Sequence, residues 1–211
     1  MLREALGPSV PRELIARGVD CLVFRVGGQV VKEYNPHITF EQVLGYEAVT
    51  KRLADFLDDK GYSTKGLIAD TPFDMRFTVV PVTFSTFNRE KGTSSSVAPY
   101  IPGPRLADFL KDRPISTNGE IRELGNPEER SFFESLLRST NIDGKGFNRQ
   151  REAERLAKFS RQMNVKLGIR GIDVSPADVK MRLSAGGDEL IYVITDLCPS
   201  ITTLQLNKRR V

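Results

Sequence analysis

Histidine is almost missing from this chain: His37 is the only one among 211 residues. A single imidazole disfavours a zinc site and excludes most Ser-His and Cys-His nucleophile arrangements. Cysteine is nearly as scarce. Cys21 and Cys198 lie too far apart in sequence for a Cys-x-x-Cys motif. No disulfide framework is implied, and a reducing, cytoplasmic setting is expected. No apolar run approaches the ~18 residues that read as a membrane helix. The opening stretch MLREALGPSVPREL lacks a continuous apolar segment, so no secretory leader is expected. Internal repeats are also lacking.

Charge is only mildly unbalanced, at +4 overall, but part of the excess is local. Residues 148–170 carry seven Lys/Arg against two Glu, and the tail NKRRV adds three cations. A polyanion such as nucleic acid is one reading of this. A solvated helix face and a frayed tail is the favoured one, and it disfavours nucleic acid as a partner. Hydrophobic residues at 39% suffice for a core, and the length fits one domain or two small lobes sharing a cleft.

The local patterns place elements along the chain. CLVFRVGGQVVKEY predicts two strands joined by a Gly27-Gly28 turn. Residues 39–58 predict a helix with Thr39 as its N-cap. Residues 75–87 read as strand, with Pro81 marking an edge or a bulge. Residues 88–96 read as a turn and 97–103 as a short strand entering a Pro- and Gly-rich linker. Beyond the linker the pattern turns helical, over 105–112, 127–139 and 149–167. In the last of these Ala153, Leu156, Ala157, Ser160, Met163 and Leu167 recur at the spacing of a buried face. A hairpin, DVKMRL and LIYVIT joined through SAGGDE, follows. The expected fold class is therefore α+β.

Four features carry possible chemistry. Lys32 sits between apolar neighbours in a strand, where an ammonium is costly without an anion. Glu47 faces inward on the following helix and wants a cation; a Lys32–Glu47 pair and two unrelated snorkelling side chains are both open. Gly18 lets the backbone turn closely and can leave amides free for a phosphate, or marks an ordinary turn. Asp173 and Asp178 flank a Ser-Pro turn, and Asp196 ends a strand run. Carboxylates gathered in this way suit magnesium completed by phosphates, with a third orienting a hydroxyl. Three capping or turn aspartates is the alternative.

Taken in order, these parts resemble the protein kinase-like superfamily, closest to its aminoglycoside phosphotransferase branch and to short bacterial kinase-like proteins. The resemblance covers roughly residues 14–110 and 150–198. ARGVDCLVFRV is similar to the Gly-rich loop, with Ala16 and Cys21 in place of two glycines and Gly18 kept. Val23 falls where the family's valine covers adenine. VVKEY resembles the strand whose lysine, here Lys32, holds phosphates, and Glu47 in YEAVTKRL resembles its helix partner. VAPYIPGPRLADFL resembles the hinge, so the backbone of Pro99, Tyr100 and Ile101 would meet adenine. GIDVSPADVKM is similar to the catalytic loop, with Asp173 as base and Asp178 in the place of the metal-binding asparagine. VITDLC is similar to the strand that ends in the metal-binding aspartate, here Asp196. Gly171 stands where the family has histidine, and Leu-Cys follows Asp196 in place of Phe-Gly.

The resemblance implies a bilobal fold, with an N-lobe of a small antiparallel sheet plus one helix over 1–102. A truncated helical C-lobe over 103–211 would carry the catalytic-loop hairpin. Only residues 197–211 follow Asp196, so a partner chain completing the second lobe is one expectation. The implied activity is ATP- and magnesium-dependent transfer of the γ-phosphate to a hydroxyl on a small molecule or a protein. The implied alternative is a pseudokinase that binds nucleotide or regulates.

Overall fold

The computed structural model describes residues 11–60, 74–107, 149–184, 189–198 and 200–206. The helices expected over 105–112 (beyond Ala107) and 127–139, and most of the SAGGDE turn, lie outside them. The described chain is α+β. A five-stranded antiparallel sheet in the order β1-β2-β3-β6-β5 is built from β1 (Arg12–Arg17), β2 (Cys21–Val26), β3 (Gln29–Tyr34), β5 (Phe84–Asn88) and β6 (Thr93–Pro99). β2 and β3 form the expected hairpin, and Gly27 takes the positive φ of 59° that its turn requires.

Helix α1 (Phe40–Lys60) follows β3. Its start is a reciprocal cap. The Gln42 N–H donates to Thr39 Oγ1 at 3.3 Å, and the Thr39 N–H donates to Gln42 Oε1 at 2.8 Å. Val43, Tyr46, Val49, Thr50, Leu53, Ala54 and Leu57 form its buried face. Thr50 is buried because it has a partner: its hydroxyl accepts from the Val82 N–H at 3.1 Å.

The expected strand over 75–87 is two strands in two sheets. β4 (Asp74–Val79) pairs in parallel with β9 (Glu189–Ile194), whose other neighbour is β8 (Val179–Leu183). The chain then crosses through Val80–Thr83 and resumes as β5 in the larger sheet. Pro81 sits in that crossing, where its missing N–H and fixed φ cost no ladder bond. β4 thus joins a hairpin from beyond residue 103, and one core cluster runs from Tyr34 and Leu53 to Met163, Tyr192 and Ile201. The boundary expected at 102/103 is crossed by both a sheet and the core. The expected turn over 88–96 also contracts. β6 begins at Thr93, and its buried Ser94, Ser95 and Ser96 lie in a strand paired on both sides.

Helix α2 (Arg149–Leu167) packs Leu156, Phe159, Ser160, Met163 and Leu167 inward, while Ala153 and Ala157 are exposed. Glu152 and Arg155 take the inward positions instead. Phe159 stacks on Phe77 of β4 with centroids 4.7 Å apart, and Tyr192 of β9 meets Phe77 edge-on at 5.5 Å. Short β7 (Ile169–Arg170) pairs with β10 (Gln205–Leu206), closing the end of the described chain against the α2 exit. Among the described residues no helix is long and apolar enough to cross a membrane.

Candidate active site

β3 delivers Lys32 and β9 delivers Asp196 to one point, although 164 positions separate them. Lys32 Nζ donates to Asp196 Oδ2 at 2.7 Å. The Tyr46 hydroxyl, from α1, donates to Asp196 Oδ1 at 2.8 Å, and the Leu197 N–H donates to the same oxygen at 3.0 Å. Lys32 Nζ also lies 3.5 Å from the Tyr46 hydroxyl. Burial works against the Lys32 charge, but Asp196, Tyr46 and Tyr34 outweigh it and hold its pKa well above the ordinary value. Burial, reinforced by Asp196, pushes the Tyr46 hydroxyl well above the ordinary tyrosine value, so it stays a neutral donor.

Glu47 does not join this pair. Its Oε1 accepts from Lys51, one helical turn onward, at 2.6 Å, and its buried Oε2 has no hydrogen-bond partner. The helix explains the difference. Adjacent residues point about 100° apart, and Tyr46 takes the direction toward the sheet that Glu47 was expected to take. Tyr46 reads in the sequence as a core aromatic, and it is one, except for its hydroxyl.

The pair lies in a cleft of about 500 Å³, within the range of small-ligand sites. Gly18, Val23, Pro99, Tyr100, Ile101, Asp178 and Asp196 line it together with Lys32. Four cations, Arg17, Lys32, Arg105 and Lys180, face two carboxylates there. Gly18 turns the chain, but its own N–H donates to the Cys21 carbonyl at 2.9 Å, so that amide is not left free. The Tyr100 N–H continues the β3–β6 ladder to the Gly28 carbonyl at 2.9 Å. Pro99 has none, so Ile101 has the one N–H of residues 99–101 not engaged in that ladder.

Asp178 ends the 3-10 turn Pro176–Asp178. Its Oδ2 accepts the Ser175 N–H at 2.9 Å and the Ser175 hydroxyl at 2.6 Å. It is thus both a turn-capping aspartate and a wall of the cleft. Burial raises its pKa against those two bonds, and Asp196 adds to the rise. Its carbonyl is held by the Thr195 N–H and hydroxyl, at 2.8 and 3.0 Å, which ties it to the residue before Asp196. Asp173 is exposed and is not among the residues lining the cleft, although its N–H donates to the Leu197 carbonyl at 2.8 Å.

The loop that carries Asp173 is held without a histidine. Asn164 of α2 makes a two-way bond with Ile172, and the Ser160 hydroxyl accepts the Val174 N–H at 3.0 Å. Gly171 has φ 90°, and a Cβ there would overlap the Thr203 carbonyl. No side chain fits this position. Gly171→Ala is expected to cost more than about 2 kcal/mol in urea unfolding; a loss within error would contradict this packing.

Sequence reading also missed Asp20. It is buried, and its Oδ2 accepts the Ser200 hydroxyl at 2.6 Å and the Ile201 N–H at 2.8 Å. It ties the Gly18 turn to the segment after Asp196. Buried Cys21 and Cys198 border the same region. Burial pushes Cys198 up to about 12, with Asp196 adding to it, and burial also raises Cys21. Both stay thiols, which makes them poor nucleophiles.

Two carboxylates, rather than three ligands, face the cleft. Among the described residues no group of three or more His, Cys, Asp or Glu is placed to hold a metal. The donor set still fits a hard cation completed by phosphate and water oxygens. Asp178 Oδ1 has no protein donor among the described residues, and Asp196 has three of its roughly four acceptor positions filled. No protein-family model matches this chain, and no curated protein matches it significantly.

Proposed function

We propose that the chain is an ATP- and magnesium-dependent phosphotransferase with a bilobal kinase-like fold. The observation that carries this reading is the Lys32–Asp196 pair at 2.7 Å inside a cleft lined by Gly18, Val23, Pro99–Ile101 and Asp178. A lysine and a carboxylate at one point suit a phosphate chain and its counter-ion. The Lys32 ammonium on the cleft wall suits a phosphate oxygen, and the apolar Val23, Val30 and Ala98 suit a flat base.

In this reading Lys32 holds phosphate oxygens, while Asp178 and Asp196 hold magnesium, which supplies charge neutralisation. Asp173, exposed and next to the Leu197 carbonyl that accepts its N–H, orients the acceptor hydroxyl. The acceptor is a hydroxyl-bearing small molecule or protein. Asp173→Ala is expected to lower phosphate transfer from ATP by about 10²-fold or more with nucleotide affinity retained, measured with radiolabelled γ-phosphate. Transfer at the wild-type rate would remove Asp173 from the role of base.

The three donors already on Asp196 support a second reading, a pseudokinase that binds nucleotide without turning it over. Three protein donors already hold that carboxylate, as they would in a structural lock. ATP binding with no phosphate released or transferred by the wild type would select this reading.

A further inference from the structure

We propose that Tyr46 is the residue that positions the Lys32–Asp196 pair, and that it does so by selecting which oxygen of Asp196 is offered to a cation. The inference rests on the proposed nucleotide site only for its ligand. The geometry is independent of it.

A carboxylate has about four acceptor positions, two on each oxygen. On Asp196 Oδ1 both are filled, by the Tyr46 hydroxyl at 2.8 Å and the Leu197 N–H at 3.0 Å. On Oδ2 one is filled, by Lys32 at 2.7 Å. The position left over is on Oδ2, the oxygen that already touches the lysine. A cation reaching Asp196 is therefore directed to the Lys32 side of the carboxylate.

The phenol suits this role better than Glu47 would. A carboxylate beside Lys32 would compete with Asp196 for the ammonium, whereas a hydroxyl donates to Asp196 and leaves the lysine committed. The Lys32 ammonium also lies 5.2 Å from the Tyr46 ring centre, within cation–π range. Tyr46 is itself fixed, buried on the face of α1 that packs into the core. Glu47, which a strand-lysine and helix-glutamate pattern would nominate, is bonded to Lys51.

The test compares Tyr46→Phe, Glu47→Gln and Asp196→Asn in the full chain with two readouts. The first is the Tyr46 hydroxyl proton in NMR spectra of tyrosine-labelled protein. It should exchange slowly, vanish in Tyr46→Phe, shift in Asp196→Asn and stay put in Glu47→Gln. The second is the dissociation constant for ATP with magnesium. Loss of a hydrogen bond to a charged group should raise it about tenfold or more in Tyr46→Phe, and Glu47→Gln should leave it within about twofold.

A hydroxyl proton that exchanges freely, or that ignores Asp196→Asn, overturns the proposal, as does an affinity lost in Glu47→Gln and kept in Tyr46→Phe. If the wild type binds no nucleotide while the hydroxyl signature behaves as expected, the positioning stands and the phosphotransferase reading falls. Should Tyr46→Phe fail to fold, the response of the hydroxyl proton to Asp196→Asn decides alone.

Discussion

Arg155→Met is expected to lower the midpoint of thermal unfolding by roughly 6–20 °C at neutral pH, the equivalent of about 3–5 kcal/mol. Arg155 and Glu152 form an ion pair at 3.1 Å on the inward face of α2, with Glu152 fully buried and Arg155 nearly so. The Tyr192 hydroxyl donates to the same carboxylate at 2.7 Å. Methionine keeps the apolar bulk of the arginine stem but leaves Glu152 facing Tyr192 without the guanidinium. A buried charge that loses its counter-ion costs far more than the pair contributes over an apolar substitute.

The loss should depend on pH in a defined direction. Burial already raises Glu152, and Arg155 and Tyr192 oppose the rise. Removing Arg155 removes an opposing charge, so the folded-state pKa climbs further. A carboxyl raised in the folded state binds its proton more tightly there than in the unfolded chain. The variant is therefore closest to wild type below the ordinary glutamate range and loses stability as pH rises through the raised value. Unfolding curves from acid to neutral pH check this. A deficit that is constant with pH would show that Glu152 is not the group left exposed to the penalty.

For the proposed phosphotransferase, Lys32→Met is the second large effect, and it falls on activity. Phosphate transfer should drop by about 10²–10³-fold, the usual consequence of removing one group that meets developing charge. The fold should survive, because methionine matches the lysine stem and Asp196 keeps the Tyr46 hydroxyl and the Leu197 N–H. Steady-state kinetics with a circular dichroism melt separates the two. A variant that transfers phosphate normally would detach Lys32 from the chemistry, and one that unfolds would make the pair structural.

The parts of the fold read correctly from the sequence are those fixed by local rules. Gly27-Gly28 set the β2–β3 turn, and Thr39 caps the start of α1, to which the structure adds the return bond from Gln42. Pro81 signals an edge or a bulge in the sequence, because a proline's missing donor is visible there but not that the chain changes sheets around it. Spacing places Ala153 and Ala157 in the core, yet alanine is small enough for either side, and both are exposed. Glu152 and Arg155 took the inside because each satisfies the other, which periodicity of apolar residues does not register.

The site divides in the same way. Lys32 stands out in the sequence as a charge between apolar strand neighbours, whereas Asp178 and Asp196 read equally well as turn residues and are singled out only by the resemblance; the structure places all three on one cleft. Helical phase nominates Glu47, and its neighbour one residue earlier, Tyr46, holds the position. The hydroxyl of Tyr46 and the buried Asp20 make their contacts across 150 and 180 positions. Such partners carry no local signal.

Thermal stability with ATP, with and without magnesium, in wild type and Asp196→Ala shows whether the Lys32–Asp196 cleft holds a magnesium nucleotide. A ligand at about 100 times its dissociation constant adds roughly 2.7 kcal/mol, a shift of several degrees in a chain of this size. A magnesium-dependent rise is expected in the wild type and is lost in Asp196→Ala. A midpoint indifferent to nucleotide, or an equal rise in the variant, would rule out magnesium–nucleotide binding through Asp196.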